Sequence, residues 1–117
     1  MQAGAHVLVE KPLASTLADC DAMITAAADN NVTLGVVSQR RFYEPVQRVR
    51  SAIDAGKIGR PILATAQLLG WRDRAYYESD PWRGTWVAEG GGVLVNQSPH
   101  KLDLLLWFMG PVDELAG

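Results

Sequence analysis

The stretch His6-Val7-Leu8-Val9-Glu10-Lys11-Pro12 decides how this chain is read. Its apolar, partly β-branched start is the pattern of a short buried strand, and Pro12 forces the residue before it out of helical geometry, so the strand runs into a loop. Downstream, Leu17, Cys20, Met23, Ile24 and Ala27 recur at helical spacing between Thr16 and Asn31. Ser15 or Thr16 serves as N-cap and Asn30-Asn31 as the stop, which predicts an amphipathic helix. Thr33-Leu34-Gly35-Val36-Val37-Ser38 is a second short apolar run. The order strand, helix, strand predicts a crossover between parallel strands, half of a Rossmann-type sheet.

Beyond Gln39-Arg40-Arg41-Phe42, helical periodicity resumes at Val46, Val49 and Ile53, with Pro45 in a first turn and Gly56 at the C-terminal end. Ile62 to Leu69 reads as a strand. Gly70 to Gly92 is a long segment rich in turn formers and tryptophan, read as irregular but ordered. Helical spacing returns from Gly92 to Met109 and ends at Gly110-Pro111, and Val112 to Ala116 can open one more strand.

The composition narrows the function. With 48% hydrophobic and 21% charged residues the 117-residue chain has a soluble, globular make-up. A net charge of -2, with no basic run beyond Arg40-Arg41, gives no electrostatic footprint for nucleic acid. The single cysteine, Cys20, cannot form an internal disulfide, which fits a reducing cytoplasm. No stretch approaches the ~20 apolar residues of a membrane span, and no leader pattern is visible.

Three segments can carry chemistry. Glu10-Lys11-Pro12 sits at the C-terminal end of a predicted parallel strand, where open α/β sheets bind ligands. A lysine there can hold a substrate hydroxyl, although an ordinary surface loop has the same composition. The helix after Gly90-Gly91-Gly92 bears Asn96, His100, Asp103 and Trp107 at spacings of four, three and four, one polar stripe on an apolar helix. His100 can exchange protons near neutral pH, and Asp103 one turn on can fix its tautomer or bond nearby backbone. A satisfied core histidine is the competing reading. His100 and Asp103 alone are too few ligands for a metal. Third, Trp71-Arg72-Asp73-Arg74 through Trp82-Arg83-Gly84-Thr85-Trp86 combines aromatic faces with Arg and Asp, which suits sugar rings but equally pins a loop to its domain.

Taken together and in order, Glu10-Lys11-Pro12, Gln39-Arg40-Arg41-Phe42, Gly56-Lys57-Ile58-Gly59 and Gly90-Gly91-Gly92 with Asn96, His100 and Asp103 resemble the glucose-fructose oxidoreductase/inositol dehydrogenase (Gfo/Idh/MocA) family. The resemblance covers nearly the whole chain. It implies residues 1–40 as the end of a dinucleotide-binding Rossmann domain and 41–117 as the start of an α/β substrate domain with a mainly antiparallel sheet. It implies an NAD(P)-dependent dehydrogenase of a sugar, inositol or related polyol, with Lys11 and His100 catalytic. Glu10, Lys11, Pro12 and Gln39 would then face NAD or NADP, and Lys11, Asn96, His100, Asp103, Trp82 and Arg83 the substrate. A cis Lys11–Pro12 bond and a homo-oligomeric, cytoplasmic protein are compatible with it.

The chain departs from the family pattern in two places. Asn96 stands where many members carry Asp, and no Gly-x-Gly-x-x-Gly loop precedes the first strand. The chain therefore reads as an internal fragment, expected to be weak or inactive alone. The other class of function open to it is a catalytically inert ligand-binding or assembly module.

Overall fold

The computed structural model describes residues 1–116, which pack as two compact units. The first unit comprises Met1–Val37 and Gly70–Pro99. Its sheet is a parallel pair, β1 (Val7–Glu10) and β2 (Leu34–Val37), in register from Val7 opposite Leu34 to Glu10 opposite Val37. The crossover between them is α1 (Leu17–Asp29). Thr16 caps it as expected: its Oγ1 accepts the Asp19 N–H at 3.1 Å and donates to the Asp19 carboxylate at 2.7 Å. At the far end the Asn30 side chain donates to the Ala26 carbonyl at 2.8 Å, and Asn31 turns the chain with φ 48°. Ala27, on the face of α1 toward β2, is the buried core residue of the described chain at 6% exposure.

The expectation of a buried β1 needs correction. Val7 and Val9 are half-buried while Leu8 is 74% exposed. A parallel strand is buried on both faces only when helices cover both, and among the described residues α1 covers one.

The segment 70–92 is more regular than its composition predicts. It contains α3 (Arg74–Glu78) and α4 (Trp86–Glu89), each started by its own cap, with Asp73 accepting from the Tyr76 N–H at 2.9 Å and Thr85 from the Ala88 N–H at 3.3 Å. Gly90 ends α4 in the left-handed conformation, φ 76°, which glycine adopts without strain. A side chain there would also meet the Ser15 carbonyl oxygen at 3.2 Å. The glycine run thus lets the loop after β1 approach α4.

The single helix predicted for 92–109 is two helices, α5 (Gly92–Asn96) and α6 (Pro99–Met109). Proline has no N–H to continue the ladder, and its ring displaces the carbonyl four residues back, so Pro99 can open a helix but not continue one. The N–H groups of Gln97 and Ser98 both turn back to the Val93 carbonyl, at 3.1 and 2.8 Å, and close α5.

The second unit comprises Ser38–Leu69 and the chain from His100 onward. It contains a 3-10 turn (Gln39–Phe42), α2 (Glu44–Asp54) and α6 beyond Pro99. Pro45 lies in the first turn of α2, and Gly56 follows it with φ 67°. The predicted strands at 62–69 and 112–116 do not form, and the only sheet among the described residues is the parallel pair of the first unit, not a mainly antiparallel one. A strand needs a neighbour to take its backbone groups, and here Ile62, Leu63 and Leu69 are 91, 81 and 91% exposed with none to pair with.

Candidate active site

In the first unit β1 delivers the exposed Glu10 and then Lys11, whose bond to Pro12 is cis. Lys11 is half-buried, and its ammonium donates to the backbone carbonyl of Asn96 at 2.5 Å. The side chain of the same asparagine donates through Nδ2 to Glu89 Oε1 at 2.8 Å. A cation at the strand end, an amide and a carboxylate at the end of α4 thereby form one line. Glu89 lies on the wall of a cleft of about 220 Å³ whose other walls include Tyr77, Thr85, Trp86, Val93 and Gln97. Sequence reading missed Glu89, and the available signal was Asn96 itself, an amide donor on a predicted half-buried face that requires an acceptor.

Trp82 and Arg83 belong to the same unit but do not line that cleft. Arg83 donates through Nε to Asp80 Oδ2 at 2.8 Å, and its guanidinium carbon lies 4.4 Å from the Trp82 ring centre and 4.5 Å from that of Tyr76. The Arg83 hydrogen bond, with a smaller one from Ser79, holds the Asp80 carboxyl below the usual carboxylate range. The Tyr76 hydroxyl accepts from Gln97 Nε2 at 3.2 Å. Burial raises the Tyr76 phenol, but that bond and the Arg83 and Arg72 guanidiniums outweigh it and leave the group below its ordinary value. Gln97 is therefore shared between the cleft and this cation–aromatic stack.

The remaining candidates lie in the second unit, so the predicted stripe is divided: Asn96 ends α5, while His100, Asp103 and Trp107 are on α6. His100 is half-buried in the first turn of α6. Asp103 does not stand open to a ligand. Its two oxygens accept from Arg41 Nε at 2.9 Å and Nη2 at 2.5 Å, a fork-on-carboxylate pair, and the Arg41 guanidinium lies 5.1 Å from the Trp107 ring centre. Arg50 reaches the Trp107 carbonyl and pairs with Asp54. Gln39 Oε1 is buried without a hydrogen-bond partner among the described residues. No group of three or more His, Cys, Asp or Glu side chains among the described residues can hold a metal.

Comparison with known proteins accounts for these motifs. Residues 1–38 match the family model of the oxidoreductase family with an NAD-binding Rossmann fold, and residues 46–117 that of the GFO/IDH/MocA C-terminal domain. The chain belongs to the Gfo/Idh/MocA oxidoreductase family. It is 38% identical to 1,5-anhydro-D-fructose reductase of Ensifer adhaerens across 99% of this chain and 34% of that protein. Myo-inositol 2-dehydrogenase of Thermotoga maritima is 30% identical across 90% of this chain and 29% of that protein. The structure of the WlbA dehydrogenase from Bordetella pertussis in complex with NADH and UDP-GlcNAcA superposes with a TM-score of 0.84 at 40% identity, covering 95% of this chain and 34% of that one. This Gfo/Idh/MocA chain thus spans about a third of the length of these relatives. Matches of this kind do not favour an inert binding module.

Taken one unit at a time, the described residues include groups whose chemistry suits parts of the family's nicotinamide dinucleotide: in the first unit Glu10 and Lys11 suit sugar hydroxyls, and in the second the buried Gln39 Oε1 is an acceptor with no donor among the described residues. The pyrophosphate is not provided for in the same way. Of the first-turn donors of α1, the Asp19 N–H is taken by the Thr16 side chain, and the Asp19 carboxylate places a negative charge where a phosphate would need positive potential. Across the described residues, no helix is long and apolar enough to cross a membrane.

Proposed function

We propose that this chain carries substrate-side machinery of an NAD(P)-dependent oxidoreductase that exchanges a hydride with a secondary alcohol of a sugar, inositol or related polyol. Residues 1–40 are the end of its dinucleotide-binding domain and 41–117 the start of its substrate domain. The observation that carries the reading is Lys11, which leaves the end of a parallel strand and is held by Asn96 in a unit whose cleft has aromatic, amide and carboxylate walls.

Each residue has a role in this reading. The Lys11 ammonium holds the reacting hydroxyl oxygen and stabilises the alkoxide as it develops. His100 takes the hydroxyl proton during oxidation and returns it during reduction. Glu10, Lys11, Pro12 and Gln39 hold the cofactor's ribose and nicotinamide end. Bound NAD or NADP supplies the hydride acceptor. Asn96 orients Lys11, Asp103 supports α6 beneath His100 through Arg41, and Trp82 with Arg83 borders the substrate's path. A homo-oligomer in the cytoplasm goes with this reading, and the free Cys20 is compatible with a reducing compartment.

The test is turnover of the full-length protein with a panel of sugars and polyols. His100→Ala lowers kcat by about 10²–10⁴-fold, the contribution of a general base. Unchanged turnover in that variant removes the proposed base.

A further inference from the structure

We infer that Glu89 supplies the carboxylate of the substrate cleft, reading hydroxyls of an uncharged polyol ring and rejecting sugars that carry an acid. This rests on the reading above that the chain acts on a sugar or polyol, and adds that the cleft beside Glu89, which neither Lys11 nor His100 lines, takes its ring.

The placement of Glu89 is tightly determined. It is the last residue of α4, which Thr85 caps at one end and Gly90 closes at the other. One carboxylate oxygen accepts from Asn96 Nδ2 at 2.8 Å, and the backbone of that asparagine is in turn tied to the Lys11 ammonium at 2.5 Å. Among the described residues Glu89 makes no ion pair, and its second oxygen has no hydrogen-bond partner. Glu89 is half-buried, so its second oxygen is an acceptor partly withdrawn from water and left for a ligand donor.

The cleft specifies the ligand. At about 220 Å³ it is smaller than the ~300–1,000 Å³ of pockets for drug-sized ligands and has the scale of one ring. Trp86 and Tyr77 offer apolar faces for ring C–H groups, while Gln97 and Thr85 can donate or accept. Glu89 can only accept, so it selects O–H donors and repels carboxylates. Asn96 also explains itself here. An aspartate at that position would set two carboxylates about 2.8 Å apart, and these could not both stay ionised.

The protein, without cofactor, is titrated calorimetrically with myo-inositol and with glucuronate as probes. Myo-inositol binds, and glucuronate binds more weakly. Glu89→Gln, which keeps shape and removes charge, weakens myo-inositol at least about tenfold and reduces the discrimination against glucuronate; Glu89→Asp keeps the charge and the discrimination. A Kd for myo-inositol unchanged within twofold in Glu89→Gln, wild-type preference for glucuronate, or no wild-type binding of myo-inositol overturns the inference. The two readings separate cleanly. Glu89-dependent binding in a full-length protein with no NAD- or NADP-dependent turnover sinks the dehydrogenase and leaves this assignment standing. His100-dependent turnover with Glu89→Gln binding unaltered sinks this assignment alone.

Discussion

Lys11 at the end of β1 and Asn96 at the end of α5, 85 residues apart in sequence, are joined by a 2.5 Å hydrogen bond from ammonium to backbone carbonyl. Because the acceptor is backbone, the bond fixes where the lysine stands without depending on the side chain at 96. Lys11→Met removes the cation but keeps the length of the stem. Turnover of the full-length protein is expected to fall by about 10²–10³-fold, the scale of losing one electrostatic donor. Stability falls by no more than about 1.5–3 kcal/mol, the range for a hydrogen bond to a charged group. Steady-state kinetics and urea unfolding of the same variant separate the two effects.

Gly90 carries two constraints, a positive φ of 76° and the Ser15 carbonyl 3.2 Å from where a Cβ would stand. Gly59 carries only the first, with φ 68° and open space around it. Gly59→Ala is expected to cost about 1–2 kcal/mol from left-handed backbone alone. Gly90→Ala costs more. Denaturant midpoints of the two variants measure the difference, and equal losses would show that the approach of the Ser15 loop to α4 does not contribute.

Much of the framework is written locally and could be read from sequence. Thr16 and Asn30 bracket α1, Pro45 and Gly56 bracket α2, and both apolar runs pair as parallel strands. These signals are strong because the residue that makes each bond is adjacent to the bond it makes. The failures share another cause. Pro99 signalled a helix break that periodicity in the surrounding leucines obscured, and Asp73 and Thr85 cap helices too short to show periodicity. Ile62 to Leu69 has strand composition, but a strand is defined by a partner that composition does not report. The site was half legible: Lys11 and Asn96 were singled out, whereas Glu89 emerges only from the fold of α4 against α5, and Arg41 as the partner of Asp103 only from a contact 62 residues long.

The Arg83–Asp80 pair gives stability a pH dependence of definite sign. Hydrogen bonding from Arg83 lowers the Asp80 carboxyl below its ordinary value of 3.8 in the folded protein. The unfolded chain therefore binds the proton first as pH falls. The contribution is present above about pH 4 and is lost as pH drops through the folded value. In urea melts at a series of pH values, Asp80→Asn should be less stable than wild type near neutrality, with the gap closing in acid. A gap independent of pH would assign the loss to packing instead.

Tyr76 offers a spectroscopic check on the same stack. Its hydroxyl accepts from Gln97 and faces two guanidiniums, so tyrosinate forms below the ordinary value of 10.0 despite the opposing effect of burial. Alkaline titration followed by tyrosinate absorbance should contain an early component that Tyr76→Phe abolishes and Arg83→Gln moves upward.

Arg41 and Asp103 make the bond that holds α6 to the 3-10 turn. A lysine at 41 would keep the charge but lose both the fork that meets two carboxylate oxygens and the flat face that lies over Trp107. With side-chain exposures of 38 and 21% the pair is partly screened, so Arg41→Lys is expected to cost about 1 kcal/mol, the upper part of the range for exposed pairs. Its effect on turnover should be larger than that energy implies, because His100 lies one turn before Asp103 on the same helix. In a double-mutant cycle of stability, Arg41→Lys and Asp103→Asn together should cost less than the sum of the single changes, since either one breaks the same bond. Strict additivity would show that the two side chains stabilise α6 independently.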